Sequence, residues 1–386
     1  MATLKFKEPS PYTQERPKAP ATDFVYSRFL KDVALVSSQL EVITLALFGV
    51  GRAGTIHLSG LAINPRVKIL YIVDDFKDKW EAIRRYWRLD DTQFLCSKDS
   101  DKVFQDPKVR AVVVATPTNT HESIVTSALA HSKDIFCEKP VAESIESAER
   151  CYAQAKQAGR LLFCGFQRRF DPAFSTIKQR VRAGEVGHVH SIKTCSRDAQ
   201  LPSIEYLRTS SGIFHDTAVH DIDLVCWILG EYPTQVATQA SSLTPEIADI
   251  NDYDTVVISL QFPSGTLGII DISRLSSHGY DQRVEVFGPR GMLTSSNEQP
   301  MSGIESHIGL QGGNTTPIYY SFPSRYKMAY LNEMEHFLDI LQGKTEPAIL
   351  GHETLAVSKI AAACEESVKT NRFVKLQWGP EDIPPK

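Results

Sequence analysis

Asp216, His220 and Asp223 stand at positions i, i+4 and i+7 of one stretch, so a continuous α-helix would put all three on one face. A histidine with a carboxylate one turn away suits general-base chemistry. Imidazole titrates near neutrality, and the acid fixes its orientation and supports its charged form. Oxidation of an alcohol needs such a base, because a proton leaves the hydroxyl as hydride leaves the carbon. A satisfied helix-face pair with no catalytic duty is the alternative reading. Val219, Ile222, Cys226 and Leu229 form an apolar stripe beside the polar row, so the helix packs with one stripe and offers the other. The row supplies too few ligands for a zinc or two-metal site, and no metal is expected.

A second group of residues reads as a phosphate loop. Gly49-Val50-Gly51-Arg52-Ala53-Gly54 lies between a strand pattern and a helix pattern. Gly49 permits the tight turn, Gly51 lets a pyrophosphate approach the backbone, and Gly54 lets the helix pack close to the strand. Free amides and the dipole at the helix start, where Arg52 and Ala53 stand, then hold the phosphates. Asp74 ends the next strand, 20 residues after Gly54. An acid there binds the ribose 2′-hydroxyl of NAD and repels the 2′-phosphate of NADP, so NAD is the expected cofactor. Asp75 is a second candidate, Arg52 could still accommodate NADP, and a glycine turn without ligand is the bland alternative.

Two more motifs follow predicted strands, at the sheet edge where ligands bind in open α/β folds. In Thr116-Pro-Thr-Asn-Thr-His121, the residues Thr116, Asn119 and His121 are candidates for contacts around the nicotinamide ribose. Helix capping by Thr118, Asn119 or Thr120 is the competing reading, and both can hold. In Cys137-Glu138-Lys139-Pro140, Lys139 would place a cation near the nicotinamide, with Glu138 beside it. The alternative is a solvated surface lysine.

The elements that must position these groups form two series. Val42–Phe48, Val67–Val73, Val109–Ala115, Asp134–Cys137 and Leu161–Gly165 read as buried strands. Helices fit Ala53–Ile63, Asp78–Arg88, His121–His131 and Ser144–Ala158 between them. This alternation predicts parallel βαβ units in a doubly wound sheet. After Gly165 the rhythm changes. Helices fit Ala173–Arg182 and Asp216–Leu229, and strands fit His188–Ser196, Gln235–Ser241, Thr255–Phe262, Thr266–Ser273 and Gln282–Phe287. Pro263-Ser-Gly265 reads as a hairpin turn. Ser295–Thr316 reads as a long loop, and helices near Tyr326–Leu341 and Glu353–Thr370 close the chain. Three segments are therefore expected: an arm over 1–40, a dinucleotide-binding α/β domain over 41–164, and an α+β domain over 165–386 with an open, mostly antiparallel sheet for substrate binding and oligomerisation. Within the arm, residues 1–22 are proline-rich, and residues 23–39 suit a docking helix or a lead-in.

Composition narrows the function classes. A chain of 386 residues exceeds one ordinary core. Its 42 basic and 46 acidic residues leave a net charge of −4, without the basic field that nucleic acid requires. No apolar run reaches the roughly 18 residues of a membrane span. The start of the chain carries no apolar signal core, and Glu8 and Glu15 argue against a transit peptide, so a cytoplasmic protein is expected. The seven cysteines include no Cys-x-x-Cys pair and read as reduced core thiols.

Taken in order, the Gly49–Gly54, Thr116–His121 and Cys137–Pro140 motifs, Gly165-Phe-Gln-Arg-Arg-Phe-Asp171 and Asp216-x-x-x-His220-Asp resemble the Gfo/Idh/MocA oxidoreductases, from about Val42 to Leu376. Within that family the chain is most similar to the inositol 2-dehydrogenases. The resemblance implies a Rossmann domain and NAD-dependent oxidation of a secondary alcohol on a cyclic polyol. It implies that Lys139 holds the reacting hydroxyl and contacts the nicotinamide, that His220 is the base, and that Asp216 is its partner and also touches substrate. It places Arg168 and Tyr280 in the substrate pocket and implies a homodimer or homotetramer. Another sugar dehydrogenase, or a dinucleotide-binding sensor without catalysis, are the rival readings. The arm, the loop Cys195–Gly212 and Gly351-His-Glu depart from the family pattern.

Overall fold

The run Ile43–Phe48 is apolar apart from Thr44, and it forms a central strand of the first sheet. The computed structural model describes residues 41–301, 304–306, 314–379 and 382. The expected arm, with its docking segment at 23–39, lies outside the described residues. In chain order the first half comprises β1 (Ile43–Phe48), α1 (Arg52–Leu61), β2 (Val67–Val73), α2 (Trp80–Trp87), β3 (Gln93–Leu95), α3 (Asp101–Gln105), β4 (Ala111–Val114), α4 (His121–Ala130), β5 (Asp134–Glu138), α5 (Ile145–Ala158) and β6 (Leu162–Gly165). The six strands are parallel, in the order β3-β2-β1-β4-β5-β6. Each residue of β4 and β6 is buried, as parallel strands covered on both faces must be. Winding reverses beside β1, so the carboxyl ends of β1 and β4 open a crevice at the switch point.

The second half continues with α6 (Pro172–Arg182), β7 (Ser191–Arg197), α7 (Ile204–Thr209), α8 (Val219–Leu229), β8 (Gln235–Ser241), β9 (Thr255–Gln261), β10 (Leu267–Ser273), β11 (Asp281–Gly288) and β12 (Gly291–Ser295). A two-residue pair follows, β13 (Glu305–Ser306) with β14 (Asn314–Thr315). Then come α9 (Lys327–Leu341), α10 (Gly351–Thr370) and β15 (Val374–Lys375). Seven strands join in the order β12-β11-β7-β10-β9-β8-β15. The β7–β10 pairing is parallel and the others are antiparallel. Along β9 burial alternates, so one face of the sheet packs on helices. The other face leaves Val257, Leu267 and Phe287 exposed.

The expected elements appear with shifted ends, and two strands, Val67–Val73 and Gln235–Ser241, coincide with the expected bounds. The hairpin turn is closed by Gly265 N–H donating to the Phe262 carbonyl at 2.9 Å, with Gly265 at φ +88. One expectation fails. The helix at 216–229 is not a uniform α-helix with one apolar stripe. Phe214–Ala218 forms a wider π-helical turn, and α8 starts only at Val219. That helix lies on β7 and β10 between α6 and α10, so it is covered on most sides, and even Asp221 and Asp223 are buried.

The last helices return to the first sheet. α9 packs on α1, and α10 packs on α5 and β6 as well as on α8. Arg66, just before β2, is buried and reaches Glu335 at 2.6 Å, Asp339 at 2.6 Å and Gln342 at 2.9 Å.

Candidate active site

The turn from β1 into α1 leaves room for a ligand only where a side chain is missing. A Cβ on Gly49 would sit 2.6 Å from the Ala115 carbonyl oxygen, and one on Gly54 would sit 2.0 Å from that of Gly49. A Cβ on Gly51 would meet nothing within 4 Å. The chain is packed tightly at the first and third glycines and open at the second. No side chain caps the start of α1, so its leading amides stay free for an anion. These residues fit a dinucleotide pyrophosphate, held by the backbone from Gly51 to Ala53.

Asp74 is fixed by the same loop. Its carboxylate accepts from the Val50 amide at 2.9 Å and from the Phe76 amide at 2.8 Å. Asp75 turns to the Ser97 amide and hydroxyl, both at 2.8 Å. Asp74 is therefore the carboxylate tied to the glycine loop.

A cavity of about 910 Å³ runs from this loop to the second sheet, and Gly51, Asp74, Thr116, Lys139, His220 and Tyr280 are on its wall. Arg52, Ala53, Glu138, Arg168 and Asp216 line it too. Asn119 does not, which corrects its expected cofactor contact. Thr118–Thr120 forms a helical turn that leaves Asn119 on the solvent side. Nor does a side chain cap α4, so the capping alternative fails as well. Thr116 receives the Thr120 hydroxyl at 2.7 Å. His121 clamps two loops together, with the Pro140 carbonyl 2.7 Å from one ring nitrogen and the Thr116 carbonyl 2.8 Å from the other.

Lys139 is not a solvated surface lysine. Its ammonium donates to the Asp216 backbone carbonyl at 2.5 Å and to the Asp216 carboxylate at 3.0 Å. Burial opposes its charge most strongly, but Asp216, Tyr206 and Glu138 together outweigh burial and hold the pKa above the usual lysine value. Next to it, Glu138 binds the buried His57 at 2.6 Å.

The expected Asp216–His220 pair is corrected by this geometry. The carboxylate of Asp216 is engaged by Lys139 and by the Tyr206 hydroxyl, and Nδ1 of His220 is buried without a hydrogen-bond partner. The π-helical turn carries Asp216, whereas His220 belongs to the α-helix beyond it, so regular spacing does not align them. Asp223 also leaves the polar row. It is 1% exposed and binds Arg169 at 2.6 Å, with Glu353 on the other side of that guanidinium at 3.1 Å. The neighbouring Arg168 instead reaches Ser196 on the cavity wall at 3.0 Å and the buried Asp221 at 3.1 Å.

Burial first, then the charges of Lys139 and Arg168, push the His220 pKa well below the ordinary histidine value. Neutral imidazole is the form that can accept a proton. The folded protein thus refuses a proton that the unfolded chain takes up near pH 6.5. Stability falls as the pH drops below that value, with a slope approaching ~1.4 kcal/mol per pH unit from this residue. Urea unfolding at stepped pH should show a correspondingly shallower acid slope in His220→Asn; equal slopes would refute this account.

Two lining residues carried no recognisable signal in the sequence. Asp198 follows β7, and burial pushes its carboxyl up to about 6. Tyr206, on α7, reaches both carboxylate oxygens of Asp216 at 3.1 Å. Neither belongs to a spaced motif. The only hint was that residues 198–210 join a strand to the acid–histidine segment and so cross the edge where the crevice opens.

Comparison with known proteins places these motifs in one family. Residues 43–166 match the model of an oxidoreductase family with an NAD-binding Rossmann fold, and residues 174–294 match the GFO/IDH/MocA C-terminal domain. The chain is 34% identical to myo-inositol 2-dehydrogenase of Thermotoga maritima over 86% of its own length and 98% of that relative. It is 30% identical to scyllo-inositol 2-dehydrogenase (NAD(+)) of Bacillus subtilis, over 86% of this chain and 95% of the other. Among solved structures, a myo-inositol dehydrogenase from Corynebacterium glutamicum aligns with a TM-score of 0.80 at 31% identity, over 88% of this chain and 100% of that one.

Proposed function

This chain belongs to the GFO/IDH/MocA oxidoreductase family, and we propose that it oxidises a secondary alcohol of a cyclic polyol, an inositol, to the ketone with NAD. The observation that carries this reading is one cavity that holds both a dinucleotide cradle and a cation–carboxylate–imidazole set. The cofactor, when bound, accepts the hydride at its nicotinamide ring.

The chain's residues do the rest. His220 is held neutral and takes the hydroxyl proton. Lys139 spends two donor directions on Asp216 and has a third to offer the reacting oxygen, whose growing negative charge it stabilises. Asp216 holds Lys139 charged and in place rather than orienting His220. Arg168 and Tyr280 line the substrate end of the cavity and complete the polyol site. Asp74 is suited to the ribose 2′-hydroxyl and would repel a 2′-phosphate, which favours NAD over NADP. A cytoplasmic location goes with this reading and is supported by seven unpaired thiols. Among the described residues no helix is long and apolar enough to cross a membrane. A homodimer or homotetramer through the open sheet face is supported by the apolar side chains that face leaves exposed.

The test is NADH formation from a panel of inositols, pentoses, hexoses and open-chain polyols, with NAD and NADP in parallel. Turnover of an inositol with NAD is the expected result. Turnover confined to another sugar would keep the chemistry and move the substrate. Measurable NADH binding without any turnover would sink the enzymatic reading in favour of a dinucleotide sensor.

A further inference from the structure

Tyr206 touches both halves of the site. Its hydroxyl is 3.1 Å from each carboxylate oxygen of Asp216, and the Asp216 carboxylate also receives Lys139. The face of its ring carries the Arg52 guanidinium 4.5 Å from the ring centre. Arg52 is the first residue of α1 and stands in the glycine loop, so Tyr206 spans the cavity from the phosphate end to the proton-handling end. The short helix that presents it, α7, is capped by Ser203, whose hydroxyl oxygen accepts the Tyr206 amide at 3.2 Å. Burial, then the Asp216 carboxylate, raise the Tyr206 pKa, so its hydroxyl remains a donor at neutral pH.

We infer that Tyr206 is a positioning residue that ties the phosphate-loop Arg52 to the Lys139–Asp216 pair. The inference rests on the dehydrogenase reading above and adds a residue to it. Two contacts divide the work. The hydroxyl fixes the rotation of the Asp216 carboxylate, and with it the direction in which Lys139 points its remaining N–H. Oδ2 of Asp216 has the Tyr206 hydroxyl as partner, while Oδ1 is shared between Tyr206 and Lys139. Without the hydroxyl the carboxylate can turn, and the ammonium turns with it. The ring acts through Arg52. Stacking holds the guanidinium over the cavity mouth by attraction between the cation and the ring face. The dinucleotide then meets a guanidinium already placed beside the glycine loop.

Two variants separate these contacts. Tyr206→Phe keeps the ring and removes the hydroxyl. It should lower kcat about tenfold through misplacement of the ammonium, leaving the polyol KM and the NADH affinity nearly unchanged. Tyr206→Leu removes both contacts. It should show the same loss in kcat and, in addition, bind NADH about threefold more weakly by fluorescence titration. A Tyr206→Phe enzyme with wild-type kcat, or equal NADH affinity in the two variants, would overturn the assignment. Failure of the parent reading is distinguishable. A wild-type protein that oxidises no polyol removes the dehydrogenase reading, while the contrast in NADH affinity still decides whether Tyr206 holds Arg52.

Discussion

His220→Ala is expected to lose about a thousandfold in kcat, as removal of a general base does, while NADH still binds. Lys139→Ala should lose a similar factor, because it removes the cation facing the developing alkoxide. The two residues act on the same oxygen from different sides: one accepts its proton and the other compensates its charge. Their separate environments make this division possible. Lys139 is held charged by Asp216, and His220 is held neutral by burial and by the two cations near it. Steady-state turnover with an inositol, paired with NADH fluorescence titration, checks both parts. Full turnover in both variants would remove these residues from the mechanism. Loss of NADH binding in step with kcat would move them to the cofactor.

Arg169→Ala should cost about 3–5 kcal/mol of stability, because it leaves the buried Asp223 charge without a partner. Arg169 is 5% exposed, and its guanidinium serves Asp223, Glu353 and the Ala348 carbonyl together. It therefore joins α8 to the start of α10. Stabilities of whole domains are typically ~5–15 kcal/mol, so this single loss would consume much of the margin. Chemical denaturation of wild type and variant measures it; a midpoint close to wild type would show that Asp223 finds another partner or is readily protonated.

The adjacent Arg168 and Arg169 show what could and could not be read from the sequence. Gly165–Asp171 marked the segment as important, and Arg168 was expected at the substrate. Nothing in the sequence could show that the next arginine turns into the core, because that depends on which acid of a distant helix lies opposite. The strands of the first sheet were legible because buried parallel strands need unbroken apolar runs, as in Ala111–Val114. The glycine loop was legible because backbone contacts at Gly49 and Gly54 exclude a side chain. Short elements escaped notice. Gln93–Leu95 and Val374–Lys375 are too brief to show a period, and they exist through pairing with longer neighbours. The Asp216–His220 pairing was misread because one wide turn separates residues that uniform helical spacing would align.

The long-range partners of Arg66 bear on how the protein is made. Gly165 completes the first sheet, yet Glu335 and Asp339, which hold the Arg66 guanidinium, are encoded some 170 residues later. At ordinary rates of synthesis that interval is roughly ten to thirty seconds. Throughout it, the outer surface of α1 has no α9 to cover it, and a cation destined for burial stays in water. The nascent nucleotide-binding half therefore waits on the ribosome in an unfinished state. Its completion is a late event, timed by the emergence of Leu341 rather than by the end of its own sheet.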